Sequence, residues 1–151
     1  MTVALWLLAA ATAHAPDRVL RTELVLEAPV EEVWSAWTTE AGVRTFFAPE
    51  CRIDLRVDGL YEIYFQPKAE AGMRGAEGTR IIVLEPNRRL AFTWNAPPDQ
   101  PYVRGQRTVV TLDFAPLDSG RTHLRFSQSG WVLPESRGAK SRVTTVRCPR
   151  T

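Results

Sequence analysis

Histidine and cysteine are scarce: the 151-residue chain holds two of each. Cys51 and Cys148 lie far apart and match no metal-ligand spacing. Nothing in the sequence brings their Cα atoms within the roughly 7 Å that a disulfide needs. His14 sits in the N-terminal segment, and His123 falls on the polar face of a strand whose neighbour Leu124 points inward. No Cys-His, Ser-His-Asp or carboxylate-His constellation can be assembled, and no ligand cluster points to a metal, so no cofactor is implied. Asp54, Asp58 and Glu62 recur around one hairpin, but alternation and turn chemistry account for them as solvated positions. A net charge of +2 is too small to argue for nucleic acid. Residues 132–151 alone carry five Lys or Arg against one Glu, so the basic excess belongs to the tail. No apolar run is long enough to span a bilayer. The glycines at 72, 75 and 78 do not form a phosphate-binding G-x-G-x-x-G, and they precede a strand instead of opening a helix.

What is present begins with Met1–Ala15, MTVALWLLAAATAHA, an apolar run followed by small residues that reads as a short signal peptide cleaved after Ala13. The run has no Lys or Arg ahead of it, and no Cys follows it to carry a lipid. A periplasmic or secreted protein is expected, with a cytoplasmic one as the alternative if the apolar segment stays attached. The length suits one domain, taken here as residues 18–131, followed by an atypical basic tail over 132–151.

Val30, Val33, Trp34 and Trp37 fall at i, i+3, i+4 and i+7, one stripe of a helix that must be buried. Pro29 suits the first helical position, and Glu31 and Glu32 place negative charge in the first turn. Thr39 can cap a second short helix carrying Val43, Phe46 and Phe47. Alternation then marks strands. Leu20, Leu24 and Leu26 face one way in the first of them, and Cys51–Val57 turns at Asp58-Gly59 into Leu60–Phe65, where Tyr61, Ile63 and Phe65 oppose Glu62 and Tyr64. Thr79–Glu85 and Arg88–Asn95 form a second hairpin around Pro86-Asn87. Gly105–Ala115 and Arg121–Ser129 form a third, with Val110, Leu112, Phe114, Leu124 and Phe126 inward. Residues 66–78 read as a flexible loop, and the proline-rich stretch Ala96–Arg104 as a loop at the rim. The pattern predicts an α+β fold in which a curved antiparallel sheet receives two short helices and keeps part of its apolar face open.

Three segments carry a resemblance: Val25–Trp34 with Trp37-Thr38, Arg56–Tyr61, and Leu84–Trp94, joined by Gly120–Leu124 and Ser127–Trp131. Together they resemble the START-like or SRPBCC superfamily, in the branch named after the C-terminal domain of the heat-shock-protein-90 ATPase activator. The resemblance implies a helix-grip fold, in which a long C-terminal helix lies across the sheet and encloses a pocket for an apolar ligand. Residues 132–151 depart from it: Pro134, Gly138, two β-branched pairs and Pro149 do not suit that helix, and a reading-frame change near the end of the gene is one explanation.

Without such a lid, the open face would exceed the roughly 400 Å² of contiguous apolar surface that monomers tolerate, so a homodimer through that face is a further expectation. The ligand wall is expected from Trp37, Phe47, Tyr61, Ile63, Phe65, Trp94, Leu112, Phe114 and Phe126. Each aromatic is also accounted for by plain core packing. The leading expectation is a binding module for a small hydrophobic molecule, without stable membrane insertion. An enzyme of the polyketide cyclase or dehydratase kind, needing an acid or base in the pocket, and a co-chaperone that activates an ATPase are the alternatives.

Overall fold

Thr39 ends one helix and starts the next. Its N–H closes α1 (Val30–Thr38) on the Ser35 carbonyl at 3.1 Å, while its Oγ1 accepts from the Gly42 N–H at 3.0 Å and so caps α2 (Glu40–Phe46). Gly42 has a steric reason: a Cβ there would stand 2.5 Å from the Ser35 carbonyl oxygen and 2.6 Å from the Ala36 Cα. Only glycine permits so tight a bend. Pro29 takes the cap position instead of the first helical one, with ψ at 153°. The expected stripe is buried as Val30 and Val33, with Trp34 packed edge-on to Phe114 at 5.2 Å.

The computed structural model describes residues 18–131. The expectations for a signal peptide, for the basic tail and missing grip helix, and for any Cys51–Cys148 bridge involve residues outside that range. Strand β1 (Leu20–Leu26) precedes the helices; β2 (Glu50–Ile53), β3 (Tyr61–Tyr64), β4 (Gly75–Ala76), β5 (Ile81–Glu85) and β6 (Arg89–Trp94) follow them. A one-turn helix, α3 (Pro101–Arg104), then leads to β7 (Thr108–Asp118) and β8 (Arg121–Ser129). All pairings are antiparallel, in a curved five-stranded sheet of order β1-β8-β7-β6-β5 and a three-stranded sheet β2-β3-β4. The fold is the expected α+β helix-grip frame with its helix pair after the first strand.

Four local readings need correction. Strand β2 stops at Ile53, and Leu55 and Val57 are exposed instead of inward. The reason is a handover between sheets: the Asp58 N–H donates to the Ile81 carbonyl at 2.8 Å and the Ile81 N–H to the Gly59 carbonyl at 2.9 Å, so β5 claims residues that would otherwise extend β2. Within residues 66–78 a short strand, β4, pairs with β3. It approaches so closely that a Cβ on Gly75 would meet the Ile63 carbonyl at 2.3 Å. The proline-rich segment makes α3 because Pro101 opens a turn that needs no donor from it. Leu20 and Leu24 share the face of Phe126 and Leu124 but stay 57% and 49% exposed, since α1 packs over β7 and β8 and not over the β1 edge. No helix among the described residues is long and apolar enough to cross a membrane.

Candidate ligand-binding cleft

Strand alternation and the helix bend bring seven side chains around a cleft of about 240 Å³. From the helices come Trp37 and Phe47; from β6, Phe92 and Trp94; from β7, Val110; from β8, Phe126 and Gln128. Phe92, Val110 and Gln128 form one register row across three strands, which makes the floor. The rings hold each other in place: Phe47 stacks on Trp94 at 5.9 Å, lies 5.4 Å from Trp37 and meets Phe65 edge-on at 5.7 Å. A neighbouring cavity of about 340 Å³ shares Trp94 and adds Phe65, Met73, Asn95 and the Pro97-Pro98 pair. Its rim is tied by Arg104, whose guanidinium donates to the carbonyls of Ala96 at 2.6 Å, Gly72 at 2.7 Å and Gly75 at 3.0 Å.

The nine expected wall residues divide by depth. Trp37, Phe47, Trp94 and Phe126 line the cleft, and Phe65 lines the neighbouring cavity, 45% exposed. Tyr61, Ile63, Leu112 and Phe114 share the inward direction but are buried in the core beneath the helices and the other sheet. They support the wall and offer no free surface. Phe92, Val110 and Gln128 were not expected in the site. The signal for Gln128 was available: a polar residue two places after Phe126 on an inward-facing alternation.

The chemistry of the lining is spare. Gln128 is its one polar side chain, and none of the seven titrates in the physiological range. Tyr61, the phenol among the expected wall residues, donates to the Trp37 carbonyl at 2.7 Å, and burial pushes its pKa up, so it stays neutral. His123 lies on the outer face with Nε2 3.0 Å from Glu23 Oε2. Glu62 is less solvated than expected: it accepts from the Tyr64 hydroxyl and from the Gly78 N–H, each at 2.6 Å. Buried Cys51 sits with Sγ 3.7 Å from the Glu40 carbonyl oxygen. Among the described residues, no group of three or more His, Cys, Asp or Glu is placed to hold a metal.

The family model described as Activator of Hsp90 ATPase homolog 1-like protein matches residues 27–144, continuing past Trp131, where the resemblance read from the sequence stops. No curated protein matches the chain. Among solved structures it is similar to the protein MLL2253 from Mesorhizobium loti, at 28% identity over 76% of this chain and 78% of that one, with a TM-score of 0.60. CalU16 from Micromonospora echinospora matches at 25% identity over 76% of this chain and 61% of that one, with a TM-score of 0.57. An HSP90 activator from Plasmodium falciparum shares the fold, at 14% identity over 74% of this chain and 72% of that one, with a TM-score of 0.58. Matched by that model over more than half its length, the chain belongs to the Activator of Hsp90 ATPase homolog 1-like protein family.

Proposed function

We propose that this domain binds a small hydrophobic molecule with an aromatic or similarly flat body in the cleft between the helix pair and the sheet. The observation that carries the reading is the wall itself: Trp37, Phe47, Phe92, Trp94 and Phe126 surround about 240 Å³, and the adjoining 340 Å³ gives room for a longer molecule. Ligand pockets are built this way, mostly apolar with few polar groups. The lining carries no acid or base, which favours holding a molecule over the turnover that a cyclase or dehydratase would need. Native mass spectrometry of protein purified from its own host tests the reading. A retained small molecule, lost when Trp94 is replaced by Ala, is the expected result; protein that carries nothing and takes up no apolar probe would end it.

A second reading, activation of a chaperone ATPase, is favoured by the family match. It predicts faster ATP hydrolysis when the purified protein is added to an HSP90-type ATPase, and an unchanged rate would remove it. An exported location and a homodimer through the open sheet face around Leu20, Leu24 and Phe126 belong to the first reading. Cell fractionation and light scattering test them directly.

A further inference from the structure

Gln128 is the one polar side chain in an aromatic cleft, and it is only 9% exposed. Its Nε2 donates to Thr108 Oγ1 at 2.9 Å, and the Thr108 hydroxyl in turn donates to the Trp94 carbonyl at 3.3 Å. A carbonyl can only accept, so the relay has a direction. The threonine proton goes to Trp94, the threonine oxygen is left to receive, and the amide must present its nitrogen there. The other end of the amide, Oε1, accepts from no donor among the described residues and is not one of their buried unpartnered atoms, so it keeps contact with solvent. A solvated acceptor on a side chain whose lining neighbours are rings and one valine loses its water when an apolar body fills the cleft, and that loss is a specific request for a donor.

We propose that Gln128 selects ligands that carry a hydrogen-bond donor, a phenolic or alcoholic hydroxyl, on an apolar aromatic body. The inference rests on the binding reading above and deepens it by naming the ligand class. Rings of the right shape without a donor leave Oε1 desolvated and unpaired, which a hydroxyl avoids. Thr108 acts as a positioning residue: it fixes which end of the amide faces the ligand, and touches no ligand itself.

Calorimetric titration of the full chain with 1-naphthol and 1-methoxynaphthalene separates the two claims, because the rings are the same and only naphthol donates. The expected result is binding of both, with naphthol preferred by about tenfold or more. Gln128→Met should erase the preference, bringing the ratio of the two affinities to about one. Thr108→Val should shrink the preference with Gln128 still present, and it decides the matter if Gln128→Met does not fold by circular dichroism. Equal affinity of the two probes for the natural chain, or a preference untouched by these variants, overturns the role of Gln128 and leaves the binding reading standing. Failure of both probes to bind overturns the reading and this inference with it.

Discussion

The Tyr61 hydroxyl reaches 2.7 Å across the core to the backbone carbonyl of Trp37. It ties the three-stranded sheet to the last turn of α1, where helix carbonyls lack intrahelical partners, and so sets the height at which the Trp37 ring stands over the cleft. Tyr61→Phe should lower stability by about 1–3 kcal/mol, since a buried carbonyl loses its donor while the ring stack on Phe92 at 4.2 Å survives. Urea denaturation measures it. The same variant should weaken binding of an apolar probe, and unchanged stability with unchanged affinity would contradict the tie.

Two tyrosines give the fold an alkaline limit. Burial pushes Tyr61 up, and burial together with the hydrogen bond to Glu62 and its charge pushes Tyr64 up to about 12. Unfolded tyrosine loses its proton near pH 10, so the folded state binds more protons than the unfolded one above that point, and stability falls as pH rises. Their contribution is intact below about pH 10 and declines from there, by about 1.4 kcal/mol per pH unit for each. Tyr64→Phe should flatten the slope between about pH 10 and 12, as read from denaturation midpoints.

Gly42 stands where α2 turns back on α1. A methyl group at 2.5 Å from the Ser35 carbonyl must push the helices apart, so Gly42→Ala should destabilise by about 1–3 kcal/mol, against the usual gain from alanine in a helix. Thermal melting of the two proteins decides the sign.

Lining and support should separate under mutation. Leu112 is wholly buried, and Leu112→Ala should lose about 2–5 kcal/mol of stability. Phe126 is partly exposed at the cleft, so Phe126→Ser should lose less stability than Leu112→Ala and reduce probe affinity by at least about tenfold. Equal effects of the two on stability and binding would mean that the cleft is only a dent in the core.

The helix pair, its cap at Thr39 and the hairpin turns were readable from the chain because they depend on neighbours within four residues. Asn87, for example, adopts its positive φ of 57° in the expected turn. The inward faces were readable as well, since alternation is a local property of a strand. Depth was not. Tyr61, Ile63 and Leu112 carry the same period as Trp94 and Phe126, and only the placement of the helix pair and of the two sheets against each other buries the first three and leaves the others at a cavity wall. Strand ends differ for a related reason: residues 54–57 alternate like a strand up to the turn at Asp58-Gly59, but β5 takes the backbone groups of that turn. Gln128 follows the inward alternation of Phe126, but its hydrogen-bond partner, Thr108, lies twenty positions away and meets it only through strand pairing. Periodicity set which way each side chain points, while the tertiary structure decided what stands above it, because cover comes from segments that no local pattern relates.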